Sequence, residues 1–522
     1  MDKVKVGMIQ EGKVIAPELH SQFIEFLGNC ISEGIWVGKD SAIPNYHGMR
    51  KDVVDALAGL QPPVIRWPGG CYADMYHWRD GVGPERKVTW NENFGTYEQE
   101  KNEFGTDEFM DFCKRVGAKP WLNVNMLTGS TREMVEWAEY CNRREDTSIS
   151  RERAANGHPE AYDVEFWGLG NEVWCGGGNY TAEAYADEYR KFASAMPKFK
   201  PDIPFVKSEG VEMQFIASGP DGNKPVERVN WTRDFFRALG KYRMPKLDAF
   251  DLHFYNWNLK DYDKPETEFG PEDWYSVIYG ALELEDVIRE QFALIEEGIR
   301  NLPRPEGDLP GNEPCCKLVI GEWGNWHGKA FLNRPALYQQ CTMRDAVTTA
   351  ITLDIFHRNC DVIGLACVAQ TVNVLNSLIL TEGEHTILTP NYYVFDMYKV
   401  HRGAKLLDIE IRTGRIGTEA DKLVDRVYSL ASEKDGVICV NLVNTHLSEE
   451  TEVELELSGD SCFLKGTLLR GETPQAYNSV EHPDAVIPKE VPEPRKENGV
   501  WKIVLPAASV SVYQFSLQVK SC

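Results

Sequence analysis

Along roughly the first 400 positions the apolar residues fall into two alternating kinds of segment. Short runs such as "PPVIRWPGG", "KPWLNVNM" and "CKLVIGEWG" are apolar almost throughout and stop at proline, glycine or a polar cluster, as strands buried on both faces do. Between them lie segments whose apolar residues recur at helical spacing: Met49 to Leu60, "GTDEFMDFCKRVGA", Met134 to Tyr140, Ala182 to Met196, "EDVIREQFALIEEGIRNL" and Ala336 to Asn359. In the second of these, Thr106 reads as the N-cap and Gly117 as the stop. The strand pattern appears at Gln22 to Leu27, "PPVIRWPGG", "KPWLNVNM", the run opening at Tyr162, "IPFVKSEG" (203–210), "LDAFDLHFY", Lys317 to Gly321 and "DVIGLACVAQ". Eight strand–helix alternations with near-continuous apolar strands predict an α/β fold, the parallel (β/α)8 or TIM barrel.

After about Tyr398 the texture changes. "DRVYSLASEKDGVICVNLVN", "TEVELELSG" and "SVSVYQFSLQ" alternate with period two between polar turns, which predicts a C-terminal antiparallel β-sandwich, with "PKEVPEPRKENG" as a surface loop. The first residues suggest a short strand pair turning at Glu11-Gly12, too small to be a domain. The expected organisation is therefore 1–19 as N-terminal strands packing on the sandwich, 20–398 as the barrel and 399–522 as the sandwich.

Charge narrows the partners. A formal net charge of −24 repels nucleic acid and anionic membrane and suits a neutral ligand. The N-terminus has no apolar core of signal-peptide length and no later run could span a bilayer, so a cytoplasmic protein is expected. The 13 cysteines are odd in number and scattered, without a C-x-x-C pair or a Cys/His cluster at zinc spacing. They read as small buried hydrophobes in a reducing compartment, and neither a metal nor a cofactor is expected.

Two strands end in a glutamate. "YDVEFWGLGNEVWCGGGNY" stops at Gly170-Asn171-Glu172 before a glycine-rich loop, and "CKLVIGEWGNWH" delivers Gly321-Glu322-Trp323. One such residue alone is as readily a solvated side chain where strand gives way to loop. Two of them on strands four and seven of a barrel would face the same mouth, because active sites form at the carboxyl ends of barrel strands. Glycoside hydrolysis needs such a pair, one carboxyl to protonate the leaving oxygen and another to attack or to activate water. Arg66, at the end of strand two, would keep one of them ionised, and His253 and Tyr255, at the end of strand six, add hydrogen-bond donors. Trp67, Trp78, Trp174, Trp257, Trp323 and Trp326 lie near these strand ends, where one or two could offer a flat face to a sugar; Trp323, beside Glu322, is a candidate.

These residues resemble the α-L-arabinofuranosidases of glycoside hydrolase family 51. The resemblance rests on "FIEFLGNCISEGIWVG", "RWPGGCYADMYHWRDGVGP", "FWGLGNEVWCGGGNYTAEAYADEYRKFA", "LHFY", "GEWGNW" and "AQTVNVLNSLILT", and runs from Phe23 through the C-terminal sandwich. It implies a retaining enzyme releasing terminal α-L-arabinofuranosyl residues from arabinan, arabinoxylan or their oligosaccharides, with Glu172 as acid/base and Glu322 as nucleophile. Asn171 would then bind the sugar 2-hydroxyl, Tyr255 and Arg66 would orient the nucleophile, and Glu25, Cys71 and Gln370 would line the arabinose pocket. A homo-oligomer is implied as well. The chain departs from the commonest family pattern at Glu25-Phe26, where Glu-His is usual, and at Cys71, where many members carry Asn; both bear on substrate preference rather than on the reacting pair. Endo-β-1,4-glucanase or xylan-active hydrolysis on the same fold stays open at this point. A non-catalytic sugar-binding protein fits less well, because it has no need of two strand-end carboxylates.

Overall fold

The computed structural model describes residues 2–200, 209–242, 245–302 and 315–517. Eight parallel strands close into a barrel: β1 (Ser21–Phe23), β2 (Val64–Trp67), β3 (Lys119–Val124), β4 (Phe166–Leu169), β5 (Gln214–Ala217), β6 (Ala249–Asn258), β7 (Lys317–His327) and β8 (Ile363–Val368). They pair in chain order, β8 returns to β1, and an α-helix follows each strand. Helices cover the outer face, which is why strands such as Val64–Trp67 and Phe166–Leu169 are buried at every position.

Helix Thr106–Val116 shows how the local signals act. Phe109, Phe112, Cys113 and Val116 form its buried stripe, and Gly117, at φ 77°, turns the chain out of the helix. Its N-cap is Gly105 and not Thr106. The Thr106 hydroxyl is turned inward, where it accepts from Trp137 Nε1 at 3.1 Å, and Glu108 instead accepts the Gly105 N–H at 3.0 Å.

The expected fifth strand at 203–210 lies, but for its last two residues, outside the described residues. The barrel uses Gln214–Ala217 instead, paired in parallel with Phe166–Leu169 and with Ala249 and Phe250. Gln214 breaks the apolar run there, because its amide reaches Glu165 Oε1 at 2.6 Å at the barrel's outer edge. Strands β6 and β7 run further than their apolar cores, pairing from Ala249↔Lys317 to Asn258↔His327 with one register shift. Leu252 faces Ile320 and His253 faces Glu322, so Gly321 is the extra residue of a bulge.

The C-terminal strands form a ten-stranded sheet that takes in the N-terminal strand Asp2–Val14. That strand is continuous, not a pair. It lies antiparallel to Lys405–Arg412 and parallel to Thr451–Glu456, and Gly12, at φ 78°, sits in a register irregularity instead of a turn. The sheet folds over itself as a sandwich. Trp501 and Phe515 lie on strands far apart in its order, yet their rings are 5.2 Å apart, within a core that includes Val6, Val440, Leu455 and Ile503. Sheet and barrel are joined by buried polar contacts, Asn441 Nδ2 to Asp354 Oδ1 at 2.8 Å and Trp274 Nε1 to the Thr445 carbonyl at 2.9 Å. Among the described residues no helix is long and apolar enough to cross a membrane.

Candidate active site

The bulge at Gly321 aims Glu322 into the barrel mouth. A side chain at 321 would put a Cβ 2.3 Å from Asp251 Oδ2, and the Gly321 N–H donates to Asp251 Oδ1 at 2.7 Å, so only glycine fits. Glu322 is held on both oxygens: Arg66 Nη1 lies 2.6 Å from Oε1, and the Tyr255 hydroxyl donates to Oε2 at 2.7 Å. The other nitrogen of the guanidinium fork, Nη2, donates to Asn171 Oδ1 at 2.6 Å. Arg66 is itself buried, its guanidinium 4.6 Å from the Phe23 ring and 5.2 Å from that of Trp121. Gly70 completes this corner, since a Cβ there would stand 2.5 Å from Glu322 Oε1 and 3.2 Å from Asn171 Oδ1.

Glu172 approaches from the end of β4, in a left-handed backbone conformation (φ 39°) that turns its side chain back over the mouth. Its Oε1 lies 3.0 Å from His253 Nδ1, and the Cys71 thiol is 3.9 Å from Oε2. The Glu172 side chain keeps 19 % of its exposure against 8 % for Glu322, so it is Glu172 that faces the open side. Asp251, His253 and Tyr255 alternate along β6 and share its inward face. His253 thus stands between carboxylates, with Asp251 Oδ2 3.1 Å from Nε2 and Glu322 Oε1 3.6 Å from Nδ1. Burial opposes its charge, but Glu322 and Asp251 outweigh that and lift its pKa to about 10, so it is an imidazolium at neutral pH. The Glu172 carboxyl is raised above its ordinary value, chiefly by burial and further by the charge of Glu322, against the hydrogen bond from His253.

Deeper in the barrel, Glu25 accepts from the Gly70 and Tyr72 N–H groups at 3.1 and 2.9 Å, from Asn93 Nδ2 at 3.0 Å and from Gln370 Nε2 at 2.6 Å. Burial, then Glu322, push its pKa up to about 7 despite these donors. Cys71 is half-buried with Asn171 Nδ2 4.0 Å from its sulfur, and burial pushes its thiol well up, so it stays protonated and unreactive.

Of the residues expected from the sequence, Glu25, Arg66, Cys71, Asn171, Glu172, His253, Tyr255, Glu322 and Gln370 are thus linked in one contact network. Trp323 is not part of it. It follows Glu322 on the strand and so points the opposite way, 2 % exposed, packed on Phe356 at 5.2 Å and Phe395 at 6.1 Å beneath the outer helices. Trp67 and Trp78 are likewise core residues, whereas Trp326 reaches the mouth with its ring 5.0 Å from that of Tyr255. Sequence reading missed Asp251, legible in "LDAFDLHFY" as the first of three alternating inward residues. It also missed Asp74, 2 % exposed, whose carboxyl burial and then Glu172 raise well above the usual carboxylate range, and Asn93, whose loop carries no pattern.

Glu172, His253 and Glu322 each offer an atom within 4.8 Å of the others, which is compatible with a metal site by distance alone. Chemistry argues otherwise: an imidazolium has no lone pair to give, and Arg66 already neutralises Glu322.

Residues 56–272 match the family described as the α-L-arabinofuranosidase 1 domain, and residues 321–509 the α-L-arabinofuranosidase C-terminal domain. An intracellular exo-α-L-arabinofuranosidase of Bacteroides ovatus is 36% identical over 509 residues, covering 96% of this chain and 93% of the relative. The crystal structure of a GH51 arabinofuranosidase from Xanthomonas axonopodis pv. citri superposes with a TM-score of 0.87 at 31% identity, covering 99% of this chain and 100% of the other. The arabinose complex of an α-L-arabinofuranosidase from Thermotoga maritima superposes with a TM-score of 0.81 at 26% identity and the same coverage. With nearly its full length aligned to such a relative, this chain belongs to the α-L-arabinofuranosidases of glycoside hydrolase family 51.

Proposed function

We propose that the protein is a retaining exo-α-L-arabinofuranosidase that releases terminal arabinofuranosyl residues from arabinan, arabinoxylan or their oligosaccharides. The carrying observation is the pairing of the two glutamates. Their carboxyl oxygens come within 4.8 Å, and only Glu322 is gripped by both Arg66 and Tyr255. Retaining enzymes hold their carboxyl groups about 5–5.5 Å apart, while inverting ones leave about 6.5–9.5 Å for a water.

In this reading Glu322, paired with Arg66, attacks the anomeric carbon while Glu172 gives its proton to the departing oxygen. Formation of the glycosyl ester removes the charge of Glu322, so Glu172 then ionises more readily and takes a proton from the water that cleaves the ester. His253 favours that ionised form. Asn171, fixed by Arg66, is placed for the 2-hydroxyl, and Glu25, Cys71 and Gln370 for the remaining sugar oxygens. Removal of one terminal unit instead of cleavage within a chain is favoured by the name of the Bacteroides ovatus relative, an exo-acting enzyme. The names of the Bacteroides ovatus and Thermotoga maritima relatives favour the same sugar, and the former's name favours the cytoplasm as the site of action.

Comparing 4-nitrophenyl arabinofuranoside, xyloside and cellobioside as substrates tests the activity, and product anomer by NMR tests the stereochemistry. Turnover confined to the arabinofuranoside with retained configuration is expected; cellobioside cleavage or inversion would overturn the reading.

A further inference from the structure

Strand β6 runs on to Asn258, but β5 stops at Ala217 and pairs with it only at Ala249 and Phe250. Beyond that point the β5 side of β6 needs other partners, because buried peptide groups are almost never left unpaired. The loop after β5 supplies them. Asp221 forms a parallel bridge with His253, and the Gly222 N–H donates to the His253 carbonyl at 2.9 Å. At Tyr255 the partner is a side chain. Asn223 Nδ2 donates to the Tyr255 carbonyl at 2.7 Å, and the Tyr255 N–H donates to Asn223 Oδ1 at 3.0 Å. A primary amide thus stands in for the peptide group of a neighbouring strand, with its donor and its acceptor both matched to backbone.

The loop can lie this close because glycine stands where it touches β6. A Cβ at Gly219 would be 1.7 Å from the Asp251 carbonyl oxygen, and one at Gly222 would be 2.4 Å from that of His253. Asp221 fixes Asn223 in turn, its Oδ1 accepting the Asn223 N–H at 2.9 Å. On the other flank of β6, Tyr255 pairs with Gly324, two residues beyond Glu322 on β7. Tyr255 is therefore held from both sides, and its hydroxyl reaches Glu322 Oε2 at 2.7 Å.

We propose that Asn223 is a positioning residue for the nucleophile, its amide fixing the Tyr255 backbone so that the phenol meets Glu322. The inference rests on the arabinofuranosidase reading given above, in which Glu322 attacks. Both side-chain hydrogen bonds of Asn223 go to the Tyr255 backbone, so its effect on the reaction passes through that residue. A displaced phenol leaves Glu322 short of one hydrogen bond, and the loss falls on the attacking step more than on sugar binding.

The test measures kcat and KM for 4-nitrophenyl α-L-arabinofuranoside in a double-variant cycle. Asn223→Ala should lower kcat about tenfold, the scale of losing one hydrogen bond to a charged group. KM should stay within about twofold, since the interaction serves the transition state. In a Tyr255→Phe background the same substitution should cost less than about twofold, because the hydroxyl it positions is gone. Equal losses in the two backgrounds, or no loss in the wild type, would overturn the role. Asn223→Asp keeps the size and the acceptor for the Tyr255 N–H, but sets a carboxylate oxygen against the Tyr255 carbonyl. Its kcat relative to wild type should rise as pH falls, because a protonated carboxyl donates where the amide did. A ratio independent of pH would equally overturn the role, and this arm decides the matter if Asn223→Ala folds poorly. A wild-type protein inert toward the aryl arabinofuranoside would instead overturn the activity reading, a result distinct from failure of the positioning role alone.

Discussion

Arg66 grips Glu322 with one guanidinium nitrogen at 2.6 Å and Asn171 with the other at the same distance. One buried cation therefore holds in place both the attacking carboxylate and the amide beside it. Lysine keeps the charge but lacks the fork. Arg66→Lys should thus lose one charged hydrogen bond of about 1.5–3 kcal/mol, lowering kcat/KM roughly 10- to 150-fold. Steady-state kinetics on the aryl arabinofuranoside decide this; an unchanged kcat/KM would mean that the fork is dispensable.

The two glutamates should separate by leaving group. Glu322→Ala should abolish turnover of every substrate, because no glycosyl ester can form. Glu172→Ala should impair unactivated arabinosides far more than the 4-nitrophenyl glycoside, whose departure needs no proton. The latter variant should be rescued by azide, giving an arabinosyl azide of retained configuration. Inverted azide from Glu172→Ala, or retained azide from Glu322→Ala, would reverse the assigned roles.

His253 gives a pH prediction with a definite sign. As an imidazolium it favours the ionised form of Glu172, so it holds down a pKa that burial has already raised. In His253→Asn that influence is gone and Asp251 is left unneutralised, so Glu172 should keep its proton to higher pH. The basic limb of the kcat/KM profile, which reports the free enzyme, should move upward. A downward shift would show that His253 is neutral in the wild type.

In Gly70→Ala the new side chain enters between Glu322 and Asn171, so its effect should fall on the site. With its Cβ 2.5 Å from Glu322 Oε1, the carboxylate must move. Activity should collapse by far more than any fall in the thermal unfolding midpoint accounts for. Loss of both together would point to a folding defect instead.

Trp323→Ala should behave in the opposite way. Removing a fully packed indole costs about 3–5 kcal/mol of stability. The unfolding midpoint should drop, with KM for the aryl arabinofuranoside nearly unchanged in the fraction that folds. A selective rise in KM would return Trp323 to the substrate site.

How much of this was legible in the sequence follows from what each signal depends on. Strand and helix periodicity is local, so the barrel, its C-terminal sheet and the strand ends carrying Arg66, Glu172, His253, Tyr255 and Glu322 could all be read from the order of residues. Convergence of the two glutamates followed from topology, because every strand of a parallel barrel ends at one mouth. The fifth strand escaped, since four residues led by Gln214 carry too little apolar signal. Side-chain direction escaped as well: neighbouring Glu322 and Trp323 look equally near the chemistry in one dimension, and only the pleat and the bulge at Gly321 send one inward and the other into the core. The charge of His253, the raised pKa of Asp74 and the contact of Asn93 with Glu25 depend on groups far apart in the chain, whose fields and distances exist only once the barrel has closed.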